Sequence, residues 1–174
     1  MGGSLILIAL TISTLLWADL GNGYVWVVMF VTLGFGLVGF GDDYLKLTRR
    51  NHRGLPGRLK LAAQILIGLV ATYWIMQLTR DPLSTQLAVP FLKNMLPDLG
   101  WFFLPFGVLV MAGASNAVNL TDGLDGLAIV PVMIAAGCFA LITYLAGNAI
   151  FANYLQIHHI PGSGELAVFC GALV

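Results

Sequence analysis

Two polar islands in an otherwise apolar chain carry the side chains able to do chemistry. The first is Asp42-Asp43, which closes a long apolar run and precedes Lys46, Arg49, Arg50, Arg53, Arg58 and Lys60. Adjacent carboxylates repel, so either one keeps its proton or a cation holds both charged. Magnesium suits such a pair, because it takes one or two carboxylates together with substrate phosphate oxygens. Asp42 and Asp43 are therefore candidate metal ligands. The plainer alternative is a helix end whose acids are solvated and neutralised by Lys46 and Arg49. The second island is "NAVNLTDGLDGLA", Asn116 to Ala128. Asn116, Asn119 and Asp122 are spaced by three, which places them on one helical face, and Asp125 follows at the same interval. Capping the next helix with Thr121 or Asp125 would use one such residue, and five polar side chains are present. A polar row entering a membrane is costly unless it has a task. Gly123 and Gly126 beside the acids would let a ligand approach the backbone closely, as phosphates do.

The elements that must hold these islands follow from composition. Of 174 residues, 59% are hydrophobic and 9% charged, against about 25% charged in soluble domains. Mean hydropathy is +0.90. A soluble core of this length would lack polar cover, so the chain reads as a membrane protein. Net charge is zero, and no nucleic-acid partner is expected. Cys138 and Cys170 lie in apolar stretches without a ligand set and read as small buried side chains. The start, Met-Gly-Gly, lacks the basic n-region and cleavage site of a signal peptide. It also matches a myristoylation pattern poorly.

Apolar stretches of spanning length fall at 4–18, 24–40, 61–78, 101–118 and 127–146, and another begins at 165 and runs to 174. None alternates with period two, so helices are the way to satisfy these backbones in lipid. The expected fold is all-α: a polytopic transmembrane helix bundle with five full spans and a partial sixth. It forms one transmembrane domain over 1–174, cut short at both ends. Loop 41–60 holds six of the eight Lys and Arg residues, which assigns it to the cytoplasm by the positive-inside rule. Counting spans from it makes 119–126 cytoplasmic and 79–100 and 147–163 external. Asp42, Asp43, Asp122 and Asp125 then share one membrane face. The basic loop itself is explained by topology and anionic headgroups, although Lys60, where the third span begins, also suits a diphosphate. Segment 81–97 reads as a small hairpin or an interfacial stretch. Glu165 reads as a first-turn helix acid, and His158-His159 as a loop feature.

"GFGDDYLKLTRRNHRGLPGRLK" together with "NAVNLTDGLDGLA" closely resembles the polyprenyl-phosphate N-acetylhexosamine-1-phosphate transferase superfamily, of glycosyltransferase family 4 type. The form "NLTDGLDGLA" looks like its muramoyl-pentapeptide branch, since relatives that transfer N-acetylglucosamine phosphate tend to differ at the Leu-Thr. The resemblance implies a transferase that works with magnesium on UDP-N-acetylmuramoyl-pentapeptide and undecaprenyl phosphate, giving lipid I and UMP for peptidoglycan. It implies a cytoplasmic active site in the bacterial inner membrane, and often a homodimer. It makes Asp42, Asp43 and Asp122 catalytic, with Asp42 deprotonating or positioning the lipid phosphate. Lys60 would contact the donor diphosphate, Asn119 would line the pocket, and Gly123, Leu124 and Asp125 would hold the uridine end. Family members are much longer, and their main magnesium-ligand aspartate has no counterpart here, so the chain is expected to be an inactive fragment on its own. The alternatives are a related UDP-N-acetylhexosamine phosphate transferase of another polymer pathway, or an ion- or proton-conducting membrane protein. Conducting sites lie near the bilayer midplane, whereas these acids sit at one edge.

Overall fold

The computed structural model describes residues 2–49, 55–79, 83–89, 95–121 and 126–174. Among these residues seven α-helices follow in order: α1 Gly2–Trp17, α2 Gly23–Arg49, α3 Gly57–Leu78, α4 Phe103–Thr121, α5 Ile129–Gly147, α6 Ala149–Leu155 and α7 Leu166–Leu173. Short 3-10 turns cover Leu83–Thr85, Gly100–Phe102 and Ser163–Glu165. Among the described residues no strand occurs, so the all-α expectation holds.

Among the described residues four helices are long and apolar enough to cross a membrane: Gly23–Lys46, Gly57–Leu78, Gly100–Thr121 and Ile129–Gly147. The first expected span, 4–18, appears as the shorter apolar helix Gly3–Trp17. A turn stops it, in which Asp19 accepts from the Gly21 N–H at 2.9 Å through its side chain and from Asn22 N–H at 3.1 Å through its carbonyl. The sequence places a loop from residue 41, yet α2 continues to Arg49. Contacts one turn apart support that extension: Asp42 with Lys46, and Phe40 stacked on Tyr44 at 6.2 Å. At 27 residues and about 1.5 Å per residue, α2 is about 40 Å long. That exceeds the roughly 30 Å hydrocarbon core, so its acidic end stands clear. Of the two candidate caps of the fifth span, Thr121 ends α4 and Asp125 lies outside the described residues; α5 starts at Ile129, and the Ala128 before it has no side chain able to cap. The expected loop 147–163 contains α6, whose cap Asn148 accepts from Ile150 N–H at 2.9 Å and Phe151 N–H at 3.3 Å.

The chain forms two compact units, Met1–Leu33 with Val118–Val174, and Gly34–Ala117. In the first, α1 and α5 both pack on α7, and Leu10, Ala18, Val25, Met29 and Phe169 make the core. Polar bonds tie its loops together. Glu165 accepts from the Asp19 N–H at 3.0 Å, and the Asn22 side chain donates to the Gly162 carbonyl at 2.6 Å. Glu165 is thus more than a first-turn acid, since it reaches the turn after α1.

In the second unit α3 and α4 meet through small residues, the usual device where lipid offers no hydrophobic drive. Gly68 faces Val108, and a Cβ at Gly107 would lie 2.5 Å from Thr72 Oγ1. Thr72 is buried and its hydroxyl donates to the Gly68 carbonyl at 2.8 Å. Gly107→Ala should therefore destabilise this unit by about 1–3 kcal/mol, the range for overpacking. Thermal melting in detergent measures it, and Gly107→Ala combined with Thr72→Ala should recover most of the loss.

An isolated antiparallel bridge joins Gln86 and Asp98. It supports the hairpin reading of 81–97, although residues 80–82 and 90–94 lie outside the described set. Leu87 N–H donates to the Pro97 carbonyl and Leu99 N–H to the Thr85 carbonyl, each at 3.0 Å. The Asp98 carboxylate accepts from the Thr85 hydroxyl and from the Gly100 N–H at 2.9 Å. These two donors, the hydroxyl foremost, hold its carboxyl below the usual carboxylate range. A lowered folded value means the contribution is complete above the free value of about 3.9 and is lost as pH falls through the folded one. Hydrogen exchange at Leu87 and Leu99 should accordingly show less protection in Asp98→Asn than in the parent at neutral pH. That difference should vanish in acid.

Candidate active site

The C-terminal turns of α2 carry the acidic pair. Helical geometry sends consecutive side chains in different directions, and the two carboxylates differ accordingly. The Asp42 side chain is 16% exposed and that of Asp43 is 76% exposed. Lys46, one turn on, donates to Asp42 Oδ2 at 2.6 Å and stands 3.6 Å from Asp43 Oδ1. The other Asp42 oxygen, Oδ1, accepts from the Leu55 N–H at 2.7 Å. Asp42 therefore staples the approach to α3 onto the end of α2. The solvated, neutralised helix end foreseen for the pair describes Asp43, while Asp42 is committed on both oxygens.

Pro56 opens α3. Proline suits a helix start because its missing N–H is not needed there. Its carbonyl accepts from Leu59 N–H at 2.8 Å and Lys60 N–H at 3.2 Å, which fixes the first turn. Lys60 is half-buried in that turn, and its ammonium contributes to the field felt by Asp42. The structure thus groups Asp42, Asp43, Lys46 and Lys60 at one end of the second unit.

Asn119 is exposed near the end of α4, three residues beyond Asn116. Asp122, Gly123, Leu124 and Asp125 lie outside the described residues. The Asn116–Asn119 row does not act as one. Asn116 is turned to α3, where its Nδ2 donates to Gln64 Oε1 at 2.9 Å and to the Ala112 carbonyl of its own helix at 2.8 Å. Gln64, only 3% exposed, also approaches Ser115 Oγ at 3.5 Å. The sequence reading passed over Gln64. Its signal was available, as an uncharged amide set in an otherwise apolar span. Among the described residues no group of three His, Cys, Asp or Glu side chains gathers as a ready metal cage.

The family model for glycosyl transferase family 4 matches residues 25–170. The chain belongs to glycosyl transferase family 4. The match takes in Asp42, Asp43, Lys60 and the whole of Asn116 to Ala128. Two curated relatives of this family-4 chain carry the same name, phospho-N-acetylmuramoyl-pentapeptide-transferase. The protein of Granulibacter bethesdensis (strain ATCC BAA-1260 / CGDNIH1) is 67% identical over 174 residues, all of this chain and 48% of that protein. The protein of Rhodopseudomonas palustris (strain BisA53) is 61% identical over the same 174 residues, again 48% of its length. The family-4 chain thus spans about half the length of the curated relatives it matches. Together with the four spanning-length helices among its described residues, the relationship makes it a multi-pass membrane protein.

Proposed function

We propose that this family-4 chain is part of a phospho-N-acetylmuramoyl-pentapeptide transferase working at the cytoplasmic face of the bacterial inner membrane. The observation that carries the reading is identity of 67% over the whole chain, with the acidic pair and "NLTDGLDG" intact. Undecaprenyl phosphate would be the acceptor and UDP-N-acetylmuramoyl-pentapeptide the donor. An oxygen of the lipid phosphate attacks the sugar-linked phosphorus, the bond to the UMP oxygen breaks, and lipid I and UMP leave. Such transfers need positioning and charge neutralisation more than covalent chemistry.

Each side chain has a part in that scheme. Lys60 offers a point charge to the donor diphosphate. Asp42 accepts from Lys46 and Leu55, which favours positioning the lipid phosphate with Lys46 over abstracting a proton. Asn119 and Asp122 line the pocket, and Gly123, Leu124 and Asp125 hold the uridine end. Asp43 has the open carboxylate. One such ligand fits a magnesium ion that keeps several waters and arrives with substrate phosphates, so Asp43 would hold it. The ion would neutralise charge on the diphosphate.

The test uses the protein expressed from its complete gene, in membranes given both substrates. Lipid I and UMP should form in equal amounts. Transfer from UDP-N-acetylglucosamine alone would replace this reading with that of a related transferase, and ion flux without nucleotide with that of a conductor.

A further inference from the structure

Within the second unit, one amide pair joins the helix of Lys60 to the helix that leads into "NLTDGLDG". Gln64 lies one turn after Lys60, on the same face of α3. Asn116 lies one turn before Asn119 on α4. One hydrogen of the Asn116 amide is spent on the Ala112 carbonyl of its own helix, which holds the side chain in place, and the same nitrogen meets Gln64 Oε1. The Gln64 amide is buried, with Ser115 beside its nitrogen. Apolar side chains of similar size would fill this space and keep the helices together, but they would leave their rotation free. A directional bond in an apolar span admits one register. Further along, Gly68 against Val108 and Gly107 against Thr72 supply closeness; the amides supply rotation at the end where Lys60 begins the helix. Asn116 is also the polar member of a cleft of about 340 Å³ between these helices, otherwise lined by residues such as Leu61, Ile65, Val108 and Gly113.

We infer that Gln64 is a positioning residue for the transfer reaction, holding the stem of α4 through Asn116 in fixed register against the turn of α3 that carries Lys60. The role rests on the proposed reaction, while the register itself does not. The experiment therefore has two arms, both in the protein from its complete gene. In the first, Leu61→Cys and Gly113→Cys are placed across the cleft, with Cys138 and Cys170 replaced by alanine. Cross-linking by a short bifunctional thiol reagent is then compared with and without Gln64→Leu. The yield should fall severalfold in Gln64→Leu and return in the exchanged pair Gln64→Asn with Asn116→Gln, which keeps the summed length of the contact. An unchanged yield overturns the clamp whatever the protein catalyses.

In the second arm, lipid I formation is measured as kcat and KM for the UDP-linked donor, alongside Tm. Gln64→Leu should lower kcat/KM between about ten- and a hundredfold, the scale of a misplaced reacting geometry. The loss should fall chiefly on donor KM, and the exchanged pair should restore it to within a few-fold. Parental kinetics in Gln64→Leu overturn the inference, as does an exchanged pair that regains Tm but not KM. Absence of lipid I from the unsubstituted protein removes the proposed reaction and the role with it, and leaves the register to the first arm.

Discussion

Asp43→Asn should reduce lipid I formation by about a hundredfold or more, the scale seen when one group facing developing charge is removed. It should also raise the magnesium concentration needed for half-maximal rate. Asp42→Asn should be similarly slow, yet without that magnesium shift. The contrast follows from the two environments. The Asp43 side chain is 76% exposed and stands 3.6 Å from Lys46, so its oxygens are open to a hydrated ion. Asp42 has Lys46 at 2.6 Å on one oxygen and the Leu55 N–H at 2.7 Å on the other. An asparagine there still accepts from Leu55 but turns an NH2 group toward the Lys46 ammonium, so it loses the pair and the hold on the lipid phosphate. Rates against magnesium concentration in membranes decide the matter. Equal magnesium shifts in both variants would give the ion to both carboxylates, and parental rates in both would remove the pair from the site. Asp43→Asn should leave Tm unchanged, because among the described residues its carboxylate pairs only with Lys46 of its own helix.

The largest effect on folding is expected at Gly147. A Cβ there would come well under 3 Å from Gly164 N and to 2.7 Å from Gly164 Cα. Those are backbone atoms, which cannot rotate aside, and the Ser163 hydroxyl nearby donates to the Thr143 carbonyl at 3.2 Å. Gly147→Val should cost about 3 kcal/mol or more, the upper end of overpacking. It should appear as a fall in Tm and in the yield of folded protein in detergent. Gly164→Ala is the internal control. Its own Cβ would meet Gly147 Cα at 3.9 Å, an ordinary contact, so it should melt near the parent. Equal damage at both positions would mean that the close approach is not what matters.

Sequence and structure agree best where hydropathy alone decides. Hydropathy gives the third span as 61–78 and α3 is Gly57–Leu78; it gives the fifth as 127–146 and α5 is Ile129–Gly147. Agreement is poorer at charged ends. Charge alone ends the second span at residue 40, although Asp42 and Lys46 are spaced to bond along a helix. The split of Asp42 from Asp43 could not be read from two identical letters, because it depends on Leu55 arriving from outside the helix. Spacing puts Asn116 in one row with Asn119, because it gives a face but not what the face meets. Gln64, from another span, supplied what it meets. Asp122, Gly123, Leu124 and Asp125 rest on the family motif alone.

The bonds from Asp19 to Glu165 and from Asn22 to Gly162 join residues 146 and 140 positions apart, and α1 packs on α7. Synthesis adds about 5–20 residues per second, so α1 waits some 7–30 s for its partner. During that interval Leu10 can pack on Val25 and Met29 of α2, but the place of Phe169 is left to lipid. α1 is thus made well before the contact that locks it, and the turn around Asp19 becomes the latch that records completion of the unit.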